Sequence, residues 1–70
     1  MKVGEIVMFV DEGRYARWFF GQLGKIESMN ESQSGERHCR VRWLQPVKYH
    51  GKYTSVSDFG IKNFINHKDC

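Results

Sequence analysis

Apolar and polar positions alternate in short blocks along the chain, and no block is long enough for an ordinary helix. Ile6-Val7-Met8-Phe9-Val10 is an apolar run closed by Asp11-Glu12-Gly13. Its length, β-branched content and flanking turn residues predict a strand, with Ile6 and Met8 on the inward side. Asp11 to Arg14 reads as a loop. The stretch from Arg17 to Glu27 reads as a second strand, aromatic at its start through Trp18, Phe19 and Phe20. Gly21 and Gly24 inside it mark a bulge or the sharp curvature that closes a small barrel. Asn30 to Glu36 holds no apolar residue and predicts a mobile hairpin loop.

A clean period of two follows. Cys39, Val41 and Trp43 share one face of a third strand, while His38, Arg40 and Arg42 share the other. Pro46 is expected to end this strand, because it cannot donate to a ladder. Lys48 to Tyr53 forms a turn centred on Gly51, and Tyr53 to Val56 a fourth strand. Ser57 to Gly60 predicts one helical or 3₁₀ turn, capped by Ser57 or Asp58. Ile61 to Ile65 is the last strand and Asn66 to Cys70 a polar tail. Five short strands with glycine-marked bends predict an all-β fold, a small five-stranded barrel over residues 1–66 followed by a tail at 67–70. Its expected core is Val3, Ile6, Met8, Leu23, Ile26, Val41, Trp43, Val56, Ile61 and Phe64.

Seventy residues leave no room for a second domain, and a core this small buries roughly 60% of the unfolded surface. The ten aromatic residues compensate, since each buries about 150–250 Å². No apolar run approaches the roughly 20 residues of a membrane span, and the first residues lack a secretory pattern, so a cytoplasmic location with no membrane contact is expected. In that compartment Cys39 and Cys70 are expected to be reduced. His38, Cys39, His67 and Cys70 are nitrogen and sulfur donors of the kind zinc takes. Adjacent strand residues point to opposite faces, however, so His38 and Cys39 cannot readily share an ion, and no metal site is expected.

Charge divides the chain. The net charge is +3, made of −2 over residues 1–36 and +5 over residues 37–70. No Asp or Glu occurs between Glu36 and Asp58, so Arg40, Arg42, Lys48 and Lys52 form a run of cations uninterrupted by acid. Tyr49, His50 and Tyr53 lie among them. Cations release counterions from phosphate and rings stack on bases, so Arg40, Arg42, Lys48, Tyr49, Lys52 and Tyr53 are the candidate contacts for nucleic acid or an acidic partner. Catalysis is not expected. Cys39, His38, His50, His67, Asp58 and Ser57 show no nucleophile–base spacing, and a core-facing thiol is inert. The glycines at 21 and 24 lie within a strand and make no phosphate loop.

Several short motifs resemble the SH3-like barrels of the Tudor, PWWP and KOW groups. Val3-Gly4-Glu5-Ile6-Val7 is similar to their opening, Trp18-Phe19-Phe20-Gly21-Gln22-Leu23-Gly24-Lys25-Ile26 to their second strand, and Arg40-Val41-Arg42-Trp43 to the Tudor third strand. Ser57-Asp58-Phe59-Gly60-Ile61 resembles the 3₁₀ turn before their last strand. The resemblance implies an aromatic cage, for which Trp18, Phe20, Trp43, Tyr49 and Tyr53 supply rings. The acidic residues that Tudor domains place after the third strand are replaced here by Leu44-Gln45-Pro46-Val47-Lys48. The expectation is a non-catalytic module, without cofactor or small-molecule substrate, that docks on a protein partner within a nucleic-acid-associated machine. The alternative is direct DNA or RNA binding through the basic face of residues 40–53.

Overall fold

The computed structural model describes residues 1–69. Cys70, one of the four sequence-suggested zinc donors, lies outside the described residues. The elements in chain order are β1 (Ile6–Phe9), a single helical turn α1 (Ala16–Phe19), β2 (Leu23–Glu31), β3 (Arg37–Tyr49) and β4 (Lys52–Gly60). A 3₁₀ turn (Ile61–Asn63), β5 (Phe64–Asn66) and a second 3₁₀ turn (His67–Asp69) complete the chain. All five strands join one antiparallel sheet in the order β4-β3-β2-β1-β5. The sheet curls until its two edge strands meet across Phe9, whose ring centroid lies 4.9 Å from Phe59 and 5.5 Å from Phe64. The expected small all-β barrel, with a 3₁₀ turn before the last strand, is the observed architecture.

Val7, Phe9, Phe19, Ile26, Cys39, Val41, Trp43, Val47 and Phe64 form the core. Ile26, Val41, Trp43 and Phe64 agree with the sequence expectation, and Ile61 packs half-buried against them. The register of β1 is the reverse of the one expected: Val7 and Phe9 point inward, while Ile6 and Met8 are half-buried on the outer face. β1 lies between β2 and β5, where Met8 pairs with Leu23 on one side and Ile65 on the other. An apolar stripe therefore crosses the outside of the sheet, which is why β1 carries no polar alternation and why Leu23 also belongs outside. Val3 is 59% exposed before the first strand. Val56 is half-buried opposite Arg42 on the outer face.

Four boundaries differ from expectation. Residues 16–19 form a helical turn instead of opening the second strand, with the Phe19 N–H donating to the Tyr15 carbonyl at 3.0 Å. This turn drops Phe19 into the core, leaves Trp18 half-buried and turns Phe20 out at 50% exposure. The irregularity in β2 falls at Glu27, between Ile26 and Ser28, and not at Gly21 or Gly24. The loop expected from Asn30 is shorter, because β2 runs on to Glu31.

β3 does not stop at Pro46. Leu44, Gln45 and Pro46 sit, all exposed, where the β3–β4 register shifts between Arg42 and Val47. A proline is tolerated in such a bulge because its nitrogen owes no ladder bond there. Finally, Ser57 to Gly60 continue β4, and the 3₁₀ turn comes next, at Ile61–Asn63, shortening the last strand to Phe64–Asn66. Ser57 is drawn into the strand because its hydroxyl oxygen accepts the Trp43 indole N–H at 3.0 Å. Among the described residues no helix is long and apolar enough to cross a membrane.

Candidate nucleic-acid interface

The β3–β4 hairpin closes through only two residues, His50 and Gly51, both at positive φ (52° and 78°). This backbone matches the right-handed twist of the flanking strands, and glycine meets it without steric cost. The tight turn sets Tyr49 opposite Lys52 and Lys48 opposite Tyr53. Lys48 and Lys52 are exposed, and Tyr53 is 72% exposed. Tyr49 instead leans onto the helical turn, edge-on to Trp18 at 4.7 Å between centroids and 6.2 Å from Tyr15. His50 lies 4.8 Å from the Trp18 ring.

The helical turn adds cations that sequence reasoning left out. The Arg17 guanidinium lies over the Trp18 ring at 5.3 Å and that of Arg14 over Tyr15 at 5.7 Å. Both guanidiniums stay exposed while the rings fix them in place. The signal was in the spacing: Arg14 and Arg17 stand three apart, as do Tyr15 and Trp18, so one turn of helix puts two cations beside two rings. None of Arg14, Arg17, Lys48 and Lys52 has an acidic partner among the described residues.

Arg40 and Arg42 are placed differently. Both leave the outer face of β3 as expected, but each is held by a carboxylate from a neighbouring strand. Arg40 makes a fork with Asp58 of β4, donating from Nε and Nη2 at 3.2 Å each. Arg42 Nε donates to Glu27 of β2 at 2.7 Å. The Asp58 hydrogen bonds raise the pKa of Arg40 above its already high ordinary value. The acid-free run seen along the chain is therefore neutralised across the sheet at Arg40 and Arg42, and its remaining cations, Lys48 and Lys52, stand at the hairpin end.

The five rings proposed for a cage are not brought together. Trp43 is buried, stacked on Phe19 at 5.2 Å with its N–H bonded to Ser57, and is a core residue. Phe20 points away into solvent, next to a shallow recess of about 290 Å³ lined by Leu23 and Leu44. Only Trp18 and Tyr49 touch. A different aromatic recess, of about 300 Å³, opens beside them between Tyr15, Phe19, Tyr49 and Phe59.

The remaining chemistry-bearing groups stay apart. Cys39 is a buried thiol whose pKa is pushed up by burial and by the nearby Asp58 charge. Among the described residues no three His, Cys, Asp or Glu side chains gather around a point that could hold a metal ion. No family model, no curated protein and no solved structure matches the chain.

Proposed function

We propose that this protein is a non-catalytic binding module, an SH3-like barrel of the Tudor, PWWP and KOW type, whose hairpin end binds single-stranded nucleic acid. One observation carries the reading: Arg14, Arg17, Lys48 and Lys52, none with an acidic partner among the described residues, gather with Trp18, Tyr49, His50 and Tyr53 around the hairpin end, Lys52 on the face of Tyr49 and Trp18, Lys48 and Tyr53 on the other. Cations that give up no salt bridge gain fully from releasing counterions on phosphate contact. Rings accept only bases that are already unstacked, which favours a single strand over a duplex.

The test is a titration with short single-stranded DNA and RNA across a range of salt. Lys48→Gln with Lys52→Gln should weaken binding and flatten the salt dependence by about 1.4, at roughly 0.7 per lost phosphate contact. Removing a neutral pair whole, Arg42→Gln with Glu27→Gln, should leave the slope unchanged. Absence of binding at low salt overturns the proposal. It would leave the docking of a protein partner, a second reading favoured by the recess that Leu23 lines with Leu44, itself about half exposed.

A further inference from the structure

We infer that a cleft at the other end of β3 from the hairpin holds a small phosphate monoester with an apolar body. β3 begins at Arg37, but its pairing with β4 starts only at His38, opposite Gly60, where the chain leaves the sheet for the 3₁₀ turn. The gap is a cleft of about 450 Å³, with Arg37 and His38 on one side and Ile61, Lys62 and Asn63 on the other. Sites for small molecules have volumes of about 300–1,000 Å³.

Three uncommitted donor groups line it. Arg37 and Lys62 are exposed, and neither has an acidic partner among the described residues, although Glu31 stands opposite Arg37 in the β2–β3 register. No hydrogen bond among the described residues engages the half-buried Asn63 side-chain amide. A Cβ built on Gly60 would lie 3.8 Å from Asn63 Nδ2 and 3.9 Å from both Lys62 Cγ and the Arg37 carbonyl oxygen, so all three residues close on one point. A guanidinium fork takes two oxygens of an anion and an ammonium takes a third. A phosphate monoester presents three such oxygens and a carboxylate only two. Ile61, half-buried against the core, offers the apolar wall for the rest of the ligand. Glu36, also on the lining and 3.9 Å from His38, holds off a second anionic group, which favours a lone phosphate over a polyanion.

Gly60 adds an independent sign. Its backbone is ordinary extended chain at φ −61° and ψ 142°, which any residue adopts. The atoms around its missing Cβ stand at van der Waals distance and leave room for a methyl group. Neither conformation nor packing requires glycine there, and its bare Cα keeps the cleft open between Arg37 and Asn63. The site stands apart from the hairpin cations and does not depend on the nucleic-acid reading.

The experiment is a chemical-shift titration of the labelled protein with phenyl phosphate and with benzoate. Phenyl phosphate should shift the Gly60, Ile61 and Asn63 amides saturably and bind about tenfold tighter than benzoate, the worth of one charge-assisted hydrogen bond. Arg37→Gln with Lys62→Gln, both at exposed positions, should bring that ratio close to one, and Lys48→Gln with Lys52→Gln should leave it unchanged. Gly60→Ala should weaken phenyl phosphate about tenfold without lowering the urea midpoint. Equal affinity for the two anions in the wild type, or no saturable shift with either, overturns the site. Shifts confined to residues around Lys48 and Lys52 also overturn it and leave the nucleic-acid reading standing. A strand carrying a 5′-phosphate that shifts the same three amides more tightly than phenyl phosphate does replaces the small ester with a strand end. Undiminished binding to Gly60→Ala overturns the role given to the glycine. Should that variant fail to fold, the Arg37 and Lys62 double variant still decides the site.

Discussion

Phe9 and Met8 are neighbours of similar bulk on opposite faces of β1, and replacing each by Ala tests the register of the central strand. Phe9 is fully buried, with its ring against Phe19, Phe59 and Phe64 at 4.9–5.9 Å. Those partners come from the helical turn and from both edge strands, so Phe9 holds the curl of the sheet closed. Truncating a buried Phe to Ala removes about 3–5 kcal/mol. A domain of this length has roughly 4–10 kcal/mol in all, so Phe9→Ala leaves a barely folded protein or none.

Met8 is half-buried and meets Leu23 and Ile65 on a face open to water. Its truncation should cost about 1–2 kcal/mol. Urea unfolding followed by tryptophan fluorescence is the assay, because Trp43 is buried against Phe19 and reports on core packing. Phe9→Ala should lower the urea midpoint by more than about 1 M, or abolish the transition. Phe9→Leu, which keeps most of the volume, should retain a cooperative transition with a loss of about 1–2 kcal/mol. If Met8→Ala costs as much as Phe9→Ala, β1 faces the other way and the core described here is wrong.

A methyl group at Gly24 would meet Trp43 Cε3 and Val41 Cβ at 3.2 Å and the Arg42 carbonyl oxygen at 3.3 Å. Gly24→Ala should therefore cost about 1–3 kcal/mol by overpacking, read as a lower urea midpoint with shifted Trp43 ring resonances. Gly51→Ala, at φ 78°, should cost about 1–2 kcal/mol through backbone strain alone, with the Trp43 signals unmoved. Burial raises the Cys39 thiol pKa in the folded chain, so the unfolded chain ionises first and stability falls as pH climbs from about 8.5 towards the raised value. A Cys39→Val variant should show a shallower fall over that range in urea midpoints, and equal slopes would remove Cys39 as the cause. Val41→Asp, which buries an unpaired charge at a fully enclosed position, should not fold, as circular dichroism will report.

Where one face of a strand is wet, the sequence is readable residue by residue. β3 from His38 to Trp43 alternates in composition and in burial because its outer face meets solvent. β1 is unreadable in the same terms. Both its faces carry apolar side chains, and a period of two leaves no mark when inside and outside look alike. The helical turn at residues 16–19 was hidden for a related reason. Three successive aromatics suggest a strand, yet their side chains go to the core, to the hairpin and to solvent, a divergence that only a turn of helix allows. Pro46 misled because a bulge absorbs it, and bulges leave no compositional trace beyond the proline itself.

The candidate site was half legible, and the missing half is a matter of which strands lie side by side. Charge counted along the chain treats Glu36 and Asp58 as the ends of an acid-free window. In the sheet, the Asp58 carboxylate grips Arg40 with two bonds of 3.2 Å, and Glu27, fifteen residues from Arg42, holds it at 2.7 Å. Opposite charges at contact distance cancel for any ligand beyond about a Debye length, roughly 8 Å at physiological salt. A phosphate approaching the middle of β3 meets dipoles and not cations. Lys48 and Lys52 escape this because the hairpin end has no third strand to supply an acid, and the helical turn that packs there brings Arg14 and Arg17. The same topology that neutralises the centre of the basic strand thus concentrates positive field where the rings are, and the binding surface follows the field.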